Sequence, residues 1–155
     1  MLRSCDPSPG THVHLKDEFQ VPRIRVVVAD DQPRMLEVVA ELLGKSFEVV
    51  DLLSDGRAAL EATLKLKPDL VVLDISMPGM NGIEVARELR HNASGVKIVF
   101  LTMHEDAQIL ANCLAAGGLG YVVKEIMDAD LIPAIHEALA GRVFVSRFSS
   151  EPITP

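Results

Sequence analysis

The fold of this chain is decided by the sequence Asp69-Leu70-Val71-Val72-Leu73-Asp74-Ile75-Ser76-Met77-Pro78-Gly79-Met80-Asn81-Gly82. Its four consecutive apolar residues show no polar alternation, which predicts a short strand buried on both faces in a parallel sheet. Asp74 ends this strand, where a carboxylate costs desolvation energy unless a cation or hydrogen-bond donors meet it. Residues 78–82, with a proline and two glycines, then predict a turn that leaves this carboxylate facing a loop-lined crevice.

Length and composition predict one compact domain, because 155 residues with 48% hydrophobic content suffice for a single core. The net charge of −7 argues against binding nucleic acid through its phosphates. Cys5 and Cys113 are too far apart in sequence to suggest a disulfide framework or a metal-ligand spacing. The first residues contain no apolar core of signal-peptide length, and no apolar run is long enough to span a membrane, so we expect a cytoplasmic protein that contacts no membrane.

The chain divides into three segments by pattern. Residues 1–22 combine prolines and scattered charges without periodicity, which predicts a flexible N-terminal arm. Its His12 and His14 are interpreted as solvated side chains and not as metal ligands. Residues 23–146 are expected to carry the domain, and residues 147–155 are expected to be a C-terminal tail or the start of a linker.

Five strand patterns alternate with five helix patterns. The other strands are expected at residues 24–29, 47–50, 96–101 and 121–123, and the short, partly polar second strand suits a sheet edge. The last helix is expected to be capped by Asp128 or Asp130. Pro133 lies too deep for a first turn after Asp128, so either Asp130 is the cap or that turn is distorted. This alternation predicts an α/β fold, a flavodoxin-like (βα)5 doubly wound parallel sheet with strand order 2-1-3-4-5.

Ligands of such sheets bind outside the carboxyl ends of the strands. The polar residues expected at those ends are Asp30, Asp31, Asp74, Thr102 and Lys124. Each of these residues, considered alone, fits a purely structural role, as a helix or turn cap or as a solvated lysine. Taken together, they converge on one crevice.

Three neighbouring carboxylates repel one another, and a hard divalent cation relieves this repulsion, with Mg²⁺ the natural candidate beside oxygen ligands and phosphate. A carboxylate in that position can attack a phosphoryl group in line, while the Lys124 ammonium and the Thr102 hydroxyl hold the remaining oxygens. The product would be an aspartyl phosphate. An ionised nucleophile needs no base, which agrees with the absence of histidine at the strand ends.

At these residues the chain resembles the receiver domain of a two-component response regulator, over about residues 24–145. The matching motifs are Asp30-Asp31, Asp74-Ile75-Ser76-Met77-Pro78-Gly79-Met80-Asn81-Gly82, Leu101-Thr102 and Gly120-Tyr121-Val122-Val123-Lys124. The resemblance implies that Asp74 is the phosphoacceptor. It also implies that Asp31, Asp74 and the backbone carbonyl of Ser76 ligate Mg²⁺, and that Asp30 supports the ion through water.

The same resemblance implies roles for the neighbouring residues. Thr102 and Lys124 would contact the phosphoryl group, and Tyr121 would change rotamer together with Thr102, although it also fits a core tyrosine. Ser76 and His104 occupy positions that tune the lifetime of the phosphoryl group. The chain departs from the family pattern where Glu125 replaces a proline, which leaves the Lys124–Glu125 peptide conformation open. A second departure is Gly117-Gly118, which replaces Gly-Ala and is expected to loosen the turn.

Residues 140–146 and 153–155 resemble the end of a NarL/FixJ-type receiver and the beginning of its helix-turn-helix output domain. We therefore expect the receiver part of a longer transcription factor, phosphorylated by a sensor histidine kinase and possibly dimeric when phosphorylated. DNA contact would belong to the absent output domain. Such a protein is no enzyme beyond phosphoryl transfer to itself and its own dephosphorylation.

Other functions remain open at this point. A stand-alone receiver would act by protein contact. A haloacid-dehalogenase-like phosphatase also uses an aspartyl nucleophile, but it needs an aspartate two residues later, where Ser76 stands. A nucleotide-binding module is weaker, because Gly117-Gly118-Leu119-Gly120 precedes a strand where a dinucleotide fingerprint follows one.

Overall fold

The computed structural model describes residues 22–92, 95–103 and 105–147. They form one parallel sheet with strand order β2-β1-β3-β4-β5-β6. The strands are β1 (Arg25–Ala29), β2 (Glu48–Leu53), β3 (Leu70–Asp74), β4 (Lys97–Thr102), β5 (Gly120–Val123) and β6 (Phe144–Val145). The helices are α1 (Pro33–Gly44), α2 (Gly56–Leu66), α3 (Gly82–Asn92), α4 (Ala107–Ala115) and α5 (Met127–Leu139), with a 3₁₀ turn at Lys124–Ile126. The predicted order 2-1-3-4-5 is confirmed, and the sixth strand is an addition that the sequence patterns did not predict.

The central strand β3 lies between β1 and β4, and all five of its residues are buried. Leu70 and Val72 pack into the core on one face of the sheet, whereas Val71 and Leu73 pack into the core on the other. Because both faces of this strand meet apolar side chains, every position along it has to be apolar. The predicted double burial of this stretch is confirmed.

Helices cover both faces of the sheet, as expected for a doubly wound fold. α1 and α5 supply residues such as Leu43 and Ile135 to one core, and α2, α3 and α4 supply Leu60, Leu89 and Cys113 to the other. Burial raises the pKa of the free Cys113 thiol to about 12. This cysteine therefore stays protonated at neutral pH and packs as a small apolar side chain.

The edge strand β2 is longer than predicted, since it runs from Glu48 to Leu53 and no residue in it is fully buried. Its position at the sheet edge is confirmed. Two arginines, one just before β1 and one at its first residue, bind the C-terminal ends of two helices. The guanidinium of Arg23 donates to the carbonyl of Gly44 at 2.8 Å, and that of Arg25 donates to the carbonyl of Leu66 at 2.8 Å. Cations at helix C-termini satisfy carbonyls that lack helical partners.

The predicted cap of the last helix is wrong. α5 begins at Met127, directly after the 3₁₀ turn, and its capping residue Ile126 makes no side-chain cap bond. The turn and the helix are continuous, because the Met127 N–H donates to the carbonyl of Lys124. Asp130 therefore lies inside the first turn, where its carboxylate accepts a hydrogen bond from the Ser146 hydroxyl. Pro133 lies in the helix interior and supplies no N–H to the preceding turn.

The two departures from the family pattern have simple structural outcomes. The described residues contain no cis peptide bond, so the Lys124–Glu125 bond is trans. The turn before β5 is tight and not loose, which corrects the expectation for Gly117-Gly118. Gly117 has a φ of 101°, and a Cβ added at Gly118 would lie 2.5 Å from the Phe100 ring and 2.9 Å from the carbonyl oxygen of Cys113.

Several predictions concern residues outside the described ranges. They are those for the N-terminal arm before Pro22, for His104, and for the tail beyond Arg147. In the part that the structure describes, no helix has the length and apolar character required to cross a membrane.

We expect Gly118→Ala to lower the free energy of unfolding by about 1–3 kcal/mol, because the added methyl group overlaps Phe100 and a backbone carbonyl. Urea unfolding followed by far-UV circular dichroism measures this change. Gly44→Ala is the matched control, since nothing lies within 4 Å of the added Cβ. That variant should be neutral or stabilising by up to about 1 kcal/mol. Equal stability of the Gly118→Ala variant and the wild type would contradict the tight turn.

Candidate functional site

Four ionisable side chains meet at the carboxyl end of the sheet, and we call this group the acidic pocket: Asp30, Asp31, Asp74 and Lys124. Asp30 follows β1, Asp74 is the last residue of β3, and Lys124 follows β5. A cavity of about 170 Å³ opens here, lined by Asp31, Gln32, Asp74, Ser76, Met103 and Lys124. Parallel strands bring these residues together from positions far apart in the sequence.

The Lys124 ammonium bridges two buried carboxylates. Its Nζ lies 2.8 Å from Oδ2 of Asp30 and 3.3 Å from Oδ1 of Asp74, and all three side chains are at most 6% exposed. The other oxygen of Asp30 accepts a hydrogen bond from the Gln32 N–H at 2.9 Å. Burying ions costs free energy that close pairing only partly offsets, so such a cluster is a weak source of stability. Its place at the strand ends indicates a functional site.

Negative charge exceeds positive charge in this pocket. One carboxylate oxygen from each of Asp30, Asp31 and Asp74 lies within 4.8 Å of the other two, so three carboxylates face a single ammonium. One divalent cation would balance the remaining two charges. The possible ligands are carboxylate oxygens, and the one from Asp31 is exposed to solvent. This arrangement fits a Mg²⁺ ion that keeps some of its bound water.

The electrostatics of the pocket are visible at Asp74. Its burial and the nearby negative charge of Asp30 outweigh the attraction of Lys124, and together they raise the pKa of Asp74 from 3.8 to about 6. At neutral pH most of the molecules hold an ionised Asp74. A bound cation beside this carboxylate would favour the ionised form further.

The loop after β3 is held against the strand that it leaves. The Gly82 N–H donates to the carbonyl of Ile75 at 2.8 Å, and a Cβ at Gly82 would collide with the carbonyl oxygen of Asp74. Asn81 caps the next helix through reciprocal bonds with Glu84, of 2.8 and 2.9 Å. The loop thereby places exposed Ser76 at the cavity while Met77 turns into the core.

Thr102 and Tyr121 form a second, buried group beside the acidic pocket. Thr102 is the last residue of β4, and its side chain lies beside the hydroxyl of Tyr121, which is also close to the backbone of Asp106. Tyr121 is fully buried, and this burial raises its pKa. Thr102 is not among the residues that line the cavity.

The structure therefore brings together most of the predicted site: the carboxylates of Asp30, Asp31 and Asp74 with Lys124, and Ser76 at the cavity wall. Two lining residues, Gln32 and Met103, were missed. Each directly follows a predicted site residue, and this adjacency was the only sequence signal. The direct contact of Lys124 with Asp30 was also not foreseen.

A larger hollow of about 610 Å³ lies at the opposite, amino end of β3 and β4, beside Pro68, Asp69 and Lys97. Its size alone does not make it the functional site. Among the described residues, a cluster of three acidic or metal-ligating side chains occurs only in the acidic pocket. The buried ion pairs lie there too. We therefore locate the candidate site by its charges and not by cavity volume.

A doubly wound parallel sheet with three aspartates and a lysine at the carboxyl ends of its strands defines a receiver-type α/β domain. The chain belongs to the response regulator receiver domain family, whose model matches residues 26–136. It is the receiver domain of a two-component response regulator, and its relatives include DNA-binding response regulators.

Among these relatives is the transcriptional regulatory protein DegU of Brevibacillus brevis, 34% identical over 134 residues, which are 84% of this chain and 56% of DegU. The chain thus spans little more than half the length of that relative. The signal receiver domain of NarL from Mycobacterium tuberculosis has 32% identity and a TM-score of 0.75, covering 79% of this chain and all of that one. The isolated receiver domain of RcsB from Salmonella enterica serovar Typhimurium, solved with phosphomimetic BeF3⁻, has 27% identity and a TM-score of 0.74, covering 81% and 94%.

In protein freed of divalent cations with EDTA, Asp74→Asn should stabilise the fold by about 2–3 kcal/mol at about pH 8 and by much less near pH 4. The folded state raises the pKa of Asp74 from 3.8 to about 6. The free energy of unfolding of the wild type therefore falls, relative to that of the variant, as the pH rises from 3.8 through about 6. Urea unfolding at several pH values measures the difference. Asp31→Asn, at an exposed carboxylate, is the control and should show a smaller change, while a pH-independent difference for Asp74→Asn would contradict the raised pKa.

Proposed function

We propose that Asp74 accepts a phosphoryl group and that the acidic pocket catalyses this transfer to itself. The observation that carries the proposal is the contact of the Lys124 ammonium with the buried carboxylates of Asp74 and Asp30. An ammonium in that position neutralises charge on a phosphoryl group bonded to Asp74. A lysine with a purely structural role would gain more by packing at the surface.

In this reaction an oxygen of Asp74 attacks phosphorus in line. A bond forms between that oxygen and phosphorus, and the bond from phosphorus to the donor breaks, so that the donor leaves with its electron pair. The donor is a phosphohistidine of a kinase or a small acyl phosphate. Asp74 needs no general base, because its pKa of about 6 leaves it mainly ionised at neutral pH. Lys124 and Thr102 contact the oxygens of the transferred group.

The residues proposed to hold Mg²⁺ are Asp31, Asp74 and the backbone carbonyl of Ser76, with Asp30 acting through water. The surplus of carboxylates over ammonium groups in the pocket supports this assignment. When bound, Mg²⁺ supplies positive charge that offsets the charge of the phosphoryl oxygens. Asp31 is the exposed member of the set and keeps the ion accessible, whereas buried Asp30 keeps Lys124 in place.

The proposed switch consists of Thr102 and Tyr121. A phosphoryl group on Asp74 adds acceptor oxygens that can draw the Thr102 hydroxyl toward them. Because this hydroxyl lies beside that of Tyr121, its movement would change the surroundings of the tyrosine ring. The loops after β4 and β5 would then respond to the state of Asp74.

For the whole protein we propose a regulator in which residues 23–146 are the phosphorylated domain. Its partners would be a sensor histidine kinase and, when phosphorylated, a second copy of the chain, in the cytoplasm. DNA binding would belong to a helix-turn-helix region beyond this chain, which is supported by the name of DegU as a transcriptional regulatory protein. The chain itself is proposed to catalyse only its own phosphorylation and dephosphorylation. Ser76, exposed at the cavity, offers no acid or base, which weakens the phosphatase alternative.

Incubation with acetyl phosphate and Mg²⁺ should add the mass of one phosphoryl group to the wild type and none to Asp74→Asn, because only the carboxylate is a nucleophile. Intact-protein mass spectrometry measures the modified fraction. Asp128→Asn, an exposed aspartate of α5 outside the pocket, is the control and should be modified like the wild type. Full labelling of the Asp74→Asn variant would exclude Asp74 as the acceptor.

Asp31→Asn should weaken Mg²⁺ binding by at least about tenfold, because it removes a charged oxygen ligand from the accessible side of the site. Isothermal titration calorimetry at neutral pH measures the affinity, with Asp128→Asn again as the control. Unchanged affinity would show that Asp31 is not a ligand, without bearing on the acceptor role of Asp74.

A further inference from the structure

The short sixth strand ends in a buried hydroxyl. Ser146 is 2% exposed and follows Val145, the last residue of β6. Its Oγ accepts a hydrogen bond from the Val123 N–H at 3.1 Å and donates to Oδ2 of Asp130 at 2.7 Å. Its own N–H donates to the carbonyl of Tyr121 at 2.8 Å. We call these three bonds the Ser146 clamp.

The clamp holds the part of β5 that leads into the acidic pocket. Val123 immediately precedes Lys124, and Tyr121 lies two residues before Val123. The pairing of β5 with β6 ends at Tyr121, so the Val123 N–H lies past the end of β6. A side chain therefore has to accept its hydrogen bond, and the Ser146 hydroxyl does so. Donation to Asp130 directs the hydroxyl hydrogen of Ser146 away from Val123, so that an oxygen lone pair is free for the Val123 N–H.

Backbone position matters at this point because Lys124 has little room. Its ammonium meets Asp30 at 2.8 Å and Asp74 at 3.3 Å, in a setting where the side chains are almost wholly buried. A shift of about 1 Å in the backbone of a site residue is enough to impair catalysis strongly. Asp130 lies in the first turn of α5, so the clamp also fixes the 3₁₀ turn of Lys124 from its far side.

We propose that Ser146 is a positioning residue for Lys124, and that the Ser146 clamp keeps the acidic pocket in the arrangement that binds a phosphoryl group. This inference rests on the proposed function of Asp74 and Lys124. Without the hydroxyl, the Val123 N–H loses its partner and the end of β5 samples other positions. The fraction of folded molecules competent to bind then falls, and the apparent affinity falls with it.

The test uses beryllofluoride with Mg²⁺ as the phosphoryl mimic and the chain of residues 1–155. Ser146→Ala should weaken beryllofluoride binding by about fivefold to tenfold, the loss expected when a buried hydrogen bond is removed. Ser146→Thr keeps the hydroxyl and should restore most of the affinity. ¹⁹F NMR detects the bound mimic in folded protein only. A serine with a purely structural role would lower stability and leave the affinity of the folded molecules unchanged.

Arg142→Ala is the matched control from the same C-terminal segment. Arg142 forms an exposed ion pair with Glu137 and makes no bond to β5 in the described structure, so its loss should leave beryllofluoride affinity unchanged. Wild-type affinity in Ser146→Ala would overturn the proposal. Equal loss in the Ala and Thr variants would overturn it as well, because the hydroxyl would then be irrelevant.

A second measurement needs no variant. Binding of beryllofluoride and Mg²⁺ to the wild type should slow hydrogen exchange of the Val123 amide, because the bound state needs the clamp closed. Unchanged exchange at Val123 in wild type that demonstrably binds the mimic would overturn the inference alone. Failure of the wild type to bind beryllofluoride at all would instead overturn the proposed function.

Discussion

The functional site depends on one buried contact, in which the Lys124 ammonium lies between the carboxylates of Asp30 and Asp74. These residues come from the ends of three different strands, so their contact requires β1, β3 and β5 to have the right order and direction. Removing the Lys124 ammonium would leave two buried carboxylates without their cation in a place that water barely reaches. Burial of the apolar strands stabilises the fold, and this stability offsets the free-energy cost of holding the buried ionic contact in place.

The surrounding scaffold explains how such an arrangement stays ordered. β3 is packed from both faces, and the backbone after it folds back so closely that Gly82 has no room for a side chain. Asp74 therefore projects from a rigid support on both sides. Asp31 is exposed at the rim, where exchange of ligands with solvent is possible. A rigid carboxylate beside an accessible rim suits the proposed role of Asp74, in which the side chain is modified and later restored.

Much of this was predictable from sequence, because local patterns and topology rules agree in the centre of the fold. The unbroken apolar run of Leu70 to Leu73 identified the central strand, and the rule for ligand sites in parallel sheets grouped Asp30, Asp74 and Lys124. The start of α5 was predicted wrongly, since an aspartate at capping distance looks the same whether it caps a helix or, like Asp130, bonds to a distant serine. Such side-chain partners are set by tertiary packing, and the two-residue β6 is too short to show periodicity.

The direction of β6 has a consequence for the shape of a complete regulator. Because this strand runs parallel to β5, the backbone at Arg147 leaves along the same rim of the sheet on which Asp74 lies. On the proposed function, a phosphodonor protein would approach Asp74 from this same rim. The end of β6 and the proposed docking side of the donor therefore share one edge of the molecule.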